Sequence, residues 1–290
     1  MRKSAHASDR IIVSALVVVP LYRESLDPAE TIALTQCCRL LSRHAVAFVA
    51  PDGLDVARAK AIAEREGAAA CVERFAAPYF RSSGTYNALL LSENFYRRFE
   101  AHEYILIHQL DAFAFADELD RFCALGYDYI GAPWLHDPSR GRIVGNGGFS
   151  LRKVESALRV LQLPQSRVPQ RLALAWRRHG LLRKRSSDWL GRTGRLDRIM
   201  QSDDFLPLAL THLMHVNEDG FWGQNCDKLP FFTTAPYREA LAFSFETDPA
   251  LAYERNGRAL PFGCHGFPYI APEFWRPHIE ACGYAWKQAA

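Results

Sequence analysis

Hydrophobic and polar positions alternate between two periods along the first half of the chain. Residues 11–20 form a largely β-branched apolar run, the pattern of a strand covered on both faces of a parallel sheet. Residues 28–42 then predict a helix, with Asp27 placed to cap it and Pro28 at its first position. A second strand is predicted at 45–50 and closed by the turn-forming Pro51-Asp52-Gly53. The Ala-rich stretch 56–66 reads as a helix whose C-terminal end suits Gly67. Further helices are predicted at 85–99 and 113–122, and further strands at 104–108, 128–132 and 148–151. Repeated β-α units imply an open, mostly parallel α/β sheet. No repeat, low-complexity tract or linker interrupts the pattern, so residues 1–290 read as one domain.

Composition narrows the reading. Hydrophobic residues make up 49% of the 290, enough for a sizeable core. The seven cysteines are odd in number and form no CxxC pair, so neither a zinc ribbon nor a disulfide framework is indicated. Reduced thiols and a cytoplasmic location are the expectation. Arg2 and Lys3 precede the first apolar run, but Asp9 and Arg10 abut it and no small-residue cleavage site follows. The run is also too short to cross a bilayer.

The net charge of +3 hides an asymmetry: residues 164–200 hold ten Lys or Arg against two Asp. In this basic insert Leu172, Trp176, Leu181 and Leu182 lie between cations, although Gly180 interrupts the helical pattern. Residues 167–198 therefore suit peripheral contact with acidic lipid at the inner face of a membrane. An anionic acceptor, or a solvated loop with no partner, accounts for the same charge. No nucleic-acid-binding motif accompanies it, so nucleic acid is excluded as a partner.

In open α/β sheets ligands bind beyond the carboxyl ends of the strands. Three polar stretches stand there: Tyr22-Arg23-Glu24, Asp52 and Gln109-Leu110-Asp111. The segments YNALLLSENFYRRFEAHEYILIHQLDAF, YDYIGAPW, GNGGFSLR and NEDGFWG then follow in order. That order resembles the GT-A glycosyltransferases, and most of all an uncharacterised glycosyltransferase-like family with the QLDAF, YDYIGAPW and GNGGFSLR signature. The resemblance spans roughly residues 14 to 270, with the basic insert its least typical part. It implies a GT-A-like (Rossmann-like) α/β domain that moves a sugar from a nucleoside-diphosphate sugar to an acceptor hydroxyl. The implied setting is bacterial surface glycan or polysaccharide synthesis, with a glycan or lipid-linked acceptor.

The resemblance also implies residue roles. Asp111 would hold a divalent cation, Mn²⁺ or Mg²⁺, that neutralises the departing diphosphate. Gln109 stands where such enzymes usually carry an Asp, so it would bond a ribose hydroxyl without adding charge. The competing reading of Asp111 is a cap on the helix predicted at 113–122. His265, in PFGCHGF, would be a second metal or phosphate ligand as a neutral imidazole, with Gly263 and Gly266 allowing close backbone approach. Asp219 would take the acceptor proton and Glu218 would position the acceptor or cap, with inversion as the outcome. A helix N-terminus that favours acids explains the same pair.

Asn146, Gly147 and Gly148 would pass beneath the donor sugar, Asn146 bonding a hydroxyl, while two glycines before a strand also suit a turn or bulge. Trp134 would stack on a sugar or acceptor ring, or else fill the core. Tyr22, Arg23 and Asp52 would meet the nucleotide through stacking, phosphate or ribose, and base contacts. The alternative is a non-catalytic glycan- or nucleotide-binding scaffold that keeps the fold, for which Gln109 is the best argument. A nucleotidyltransferase is disfavoured because PLYRES lacks a Gly-rich phosphate loop after the first strand.

Overall fold

The computed structural model describes residues 14–135, 145–163 and 217–286. Its centre is a six-stranded sheet in the order β3-β2-β1-β4-β7-β6. The strands are β1 (Ala15–Pro20), β2 (Val46–Pro51), β3 (Ala70–Phe75), β4 (Tyr104–His108), β6 (Tyr129–Ile130) and β7 (Phe149–Lys153). Between β4 and β6 the chain adds β5 (Phe113–Ala114), which belongs to a second sheet. β1 pairs in parallel with both β2 and β4, and β2 with β3, whereas β7 runs antiparallel to β4.

Every residue of β1 is buried, as its apolar run requires. Val17 and Val19 face a cluster with α1 (Pro28–Leu40), α2 (Ala57–Arg65) and α5 (Leu119–Ala124). Leu16 and Val18 face the opposite cluster with α3 (Ser83–Leu90), α4 (Glu93–Arg97) and α6 (Val154–Leu161). Helices on both faces of a mostly parallel sheet give the α/β architecture expected from the β-α alternation. Asp27 caps α1 reciprocally with Glu30, and Pro28 opens the helix.

Three local expectations are corrected. The helix predicted at 85–99 is two, because the Ser92 side chain accepts from the Phe95 N–H and starts α4 afresh. The helix predicted at 113–122 gives way to β5 and, further on, the short α5. Edge strand β3 carries Glu73 and Arg74 and is half exposed, so no apolar run announced it. The basic insert 164–200, with its membrane-contact reading, lies outside the described residues. Among the described residues no helix is long and apolar enough to cross a membrane.

The second sheet has the order β5-β9-β8, with β8 at Ser244–Phe245 and β9 at Gly263–Cys264. β5 follows Asp111 after Ala112 and pairs antiparallel with β9, while β8 pairs parallel with β9. Residues following β8 and β9 are thereby delivered to the same edge as the end of β4.

Candidate functional site

Strand order reverses between β1 and β4, so the loops leaving Pro20 and His108 diverge and open a crevice. The cleft there has a volume of about 370 Å³, within the range of small-molecule sites. Its lining comprises Pro20, Tyr22 and Glu30 on the β1 side, and Gln109, Leu110 and Asp111 after β4. Phe80, Arg81, Ser82, Ser83 and Tyr86 close one flank, and Tyr269 closes the mouth. Among the described residues three large hydrophobic side chains are exposed, and two of them, Tyr22 (52%) and Tyr269 (71%), stand in this cleft. Folding alone gives no reason to gather exposed rings at one crevice.

His265 joins the strand ends. Its Nε2 lies 3.2 Å from Asp111 Oδ1 and 3.1 Å from Gln109 Oε1. On the other side Nδ1 lies 3.1 Å from Glu246 Oε1. Burial opposes a charge on the ring, but hydrogen bonds to Asp111 and Glu246 prevail and push its pKa up to about 10. Between two carboxylates the ring favours its protonated form. Burial alone would raise the Asp111 carboxyl, yet the hydrogen bond and charge of His265 hold it below its ordinary value. Asp111 caps no helix, since β5 follows it.

Among the described residues no cluster of three His, Cys, Asp or Glu side chains is placed to hold a metal ion. Asp111 Oδ1 and Gln109 Oε1 bring two oxygens together beside His265 Nε2. Ligation by Nε2 requires that nitrogen to give up its proton.

The sequence matches a family described as a protein of unknown function, DUF5672, over residues 69–265. The chain belongs to this family. The matched span runs from β3 to His265 and includes Asp111, Asn146 and the Glu218-Asp219 pair. No curated protein matches the DUF5672 chain. Among solved structures it is similar to mouse xyloside xylosyltransferase 1 in its apo form, at 13% identity and a TM-score of 0.49, covering 88% of this chain and 97% of that one. The glycosyltransferase GlyE of Streptococcus pneumoniae shares 12% identity at a TM-score of 0.43, over 92% of this chain and 60% of that one. The Mn/GDP form of core-mannan synthase A from Aspergillus fumigatus shares 13% at 0.34, over 53% and 62%. The DUF5672 chain therefore spans less than two thirds of the length of the latter two.

Behind the cleft of the DUF5672 chain lies a buried ion pair. Because β7 is antiparallel to β4, its first residue Phe149 sits beside His108, and the 146–148 loop falls at the same sheet edge. Arg152, on β7, donates from Nη2 to Glu218 Oε1 at 2.9 Å, and its Nη1 lies 2.8 Å from Oε2. Both side chains are almost fully buried. Nε donates to Ser150 Oγ, and Nη2 also reaches the Gly147 carbonyl. Glu218 is therefore turned inward onto Arg152 and anchors its short helical turn. Its neighbour Asp219 is partly exposed, and burial followed by the Glu218 charge raises its pKa to about 6.

Several predicted contacts have other partners. A Cβ on Gly147 would meet Glu218 Oε1 at 1.8 Å, and one on Gly148 would meet the His265 ring at 2.2 Å. These glycines are bare where protein side chains crowd their backbone. Asn146 is buried, with φ of 58°, and its side chain bonds Glu246 and the Gly148 N–H. Arg23 pairs with Glu30 and Asp27, and neither it nor the exposed Asp52 lines the cleft. Trp134 is half-buried and covers the bare face of Gly145. Sequence reasoning missed Glu246, Arg81, Arg152 and Tyr269. Only Arg152 had a signal, as the basic residue of GNGGFSLR flanked by apolar strand positions.

Proposed function

We propose that the chain is a glycosyltransferase that binds a nucleoside-diphosphate sugar in the β1/β4 cleft and passes the sugar to an acceptor hydroxyl of a glycan or lipid-linked sugar. The observation that carries this reading is the meeting of Asp111 with two exposed tyrosines at the strand-order reversal. Tyr22 and Tyr269 offer flat faces to a nucleobase. Arg81 is exposed in the lining, and its guanidinium matches a diphosphate. Asp111, Gln109 and His265 Nε2 would hold a Mn²⁺ or Mg²⁺ ion, which supplies charge neutralisation for the departing diphosphate. Asp219, with a pKa near 6, is ionised at neutral pH and suited to accept the acceptor proton. A single base acting in a direct displacement gives inversion.

The test is incubation with UDP-, GDP-, TDP- and CMP-sugars plus Mn²⁺, scored by release of the nucleotide product. Turnover of one donor class is the expected result; nucleotide binding with no turnover of any donor points to the non-catalytic scaffold. For the active donor, Tyr269→Ala is expected to raise KM by roughly 5- to 150-fold with little change in kcat, since base–aromatic stacking is worth about 1–3 kcal/mol. An unchanged KM removes Tyr269 from the donor site.

A further inference from the structure

We infer that a second groove, built from α5, α7 (Tyr237–Phe243) and the end of α8 (Pro249–Arg255), binds an anionic sugar whose ring carries a carboxylate or a phosphate. This rests on the proposed transfer reaction only for its use, as a hold on an acidic glycan, and not for its geometry. The groove has a volume of about 440 Å³ and shares no lining residue with the β1/β4 cleft. Tyr237 and Arg238 begin α7, at the end of that helix away from β8. Gly257 leaves the rim open, since nothing lies within 4 Å of where its Cβ would stand.

Guanidinium groups from three elements line this groove, Arg121, Arg238 and Arg255, against the single lining carboxylate of Glu239. Arg121 is committed in part: its Nη1 lies 2.7 Å from Glu118 Oε2 and its Nη2 3.9 Å from Glu239 Oε2. Arg238 and Arg255 are exposed and form no ion pair among the described residues. Arg255 Nη1 donates to Tyr237 Oη at 3.0 Å. That bond uses a lone pair of the hydroxyl and leaves its own proton to donate to a ligand. Like charges gathered on one concave wall focus their field and draw an anion, and each guanidinium fork matches two oxygens of a carboxylate or phosphate. Leu241 and Ala242 add an apolar floor beside these donors, which suits the C–H face of a sugar ring. A bare phosphate would leave that floor and most of the volume unused.

The test is isothermal titration calorimetry of the full chain with trigalacturonate, glucose 6-phosphate, inorganic phosphate and neutral maltotriose, each at low and high salt. No sugar nucleotide enters the assay, so failure of the donor-site reading leaves its outcome intact. At least one of the two anionic sugars is expected to bind, and to weaken as salt screens the arginines; which of them binds separates a carboxylate ligand from a phosphate one. Inorganic phosphate and maltotriose are expected to bind more weakly than that sugar. Arg238→Gln/Arg255→Gln is expected to lower the affinity about 10-fold, the scale of losing charge-assisted hydrogen bonds, while circular dichroism stays unchanged. Equal affinity in the folded double variant overturns the inference. So does phosphate or maltotriose binding as tightly as either anionic sugar, or no binding by either sugar. If the double variant does not fold, Arg238→Gln alone decides, because Arg238 bonds no other side chain among the described residues. A weakening of about 5-fold is then expected, and an unchanged affinity overturns the inference.

Discussion

Replacing Arg152 by methionine is expected to destabilise the fold by about 3–5 kcal/mol, because it strands the buried Glu218 carboxylate without its partner. The pair is nearly free of solvent and bidentate, so water cannot replace the lost contacts. The substitution also removes donors from Tyr96 Oη, Ser150 Oγ and the Gly147 carbonyl, which places the expectation toward the upper end. Urea unfolding of the single variant and of Arg152→Met/Glu218→Leu separates the terms. The double variant is expected to recover most of the loss, since a buried pair replaced by apolar groups of similar volume is often neutral. A loss below about 1 kcal/mol in the single variant would show that Glu218 is solvated and the clamp is absent.

Asp219→Asn is expected to lower kcat by about 10²- to 10⁴-fold while leaving donor KM near its wild-type value, the range for removing a general base. The wild-type pH profile carries the same assignment. With a pKa near 6, the base is protonated in acid, so kcat should fall tenfold per pH unit below about pH 6 and level off above it. Stability should move oppositely. The folded pKa lies above the ordinary Asp value of 3.8, so protonation favours the folded state. That contribution is complete below about pH 3.8 and lost as pH rises through 6. At pH 7 the asparagine variant is therefore expected to unfold at higher urea than the wild type, as when a carboxylate is kept for function against stability. Wild-type turnover by Asp219→Asn removes it as the base.

The sheet was legible where burial on both faces wrote itself as an apolar run, in β1, β2 and β4. α1 was legible because capping is local: Asp27 and Pro28 sit next to the helix they start. β3 was not, since an edge strand needs only one covered face and tolerates Glu73 and Arg74. The break at Ser92 was hidden inside an apolar stretch that suits one helix or two. Asp111 could be placed because strand ends converge in any open α/β sheet. Glu246 and Arg152 could not, because their partners Asn146 and Glu218 lie 100 and 66 positions away. The pairing of β8 and β5 with β9, and of β4 with β7, brings Glu246 and Asn146 to one edge of the sheet. The glycines of GNGGF were visible as a motif, but the side chains that require them were not.

Nucleotide binding through Asp111 is measured by thermal unfolding of the wild-type chain and of Asp111→Ala, each with UDP, GDP, TDP or CMP and with or without Mn²⁺. One nucleotide is predicted to stabilise the wild type when Mn²⁺ is present, by about 2.7 kcal/mol at a hundredfold excess over Kd, and Asp111→Ala should abolish the Mn²⁺-dependent part. No stabilisation by any nucleotide, or an equal shift in both proteins, would contradict it.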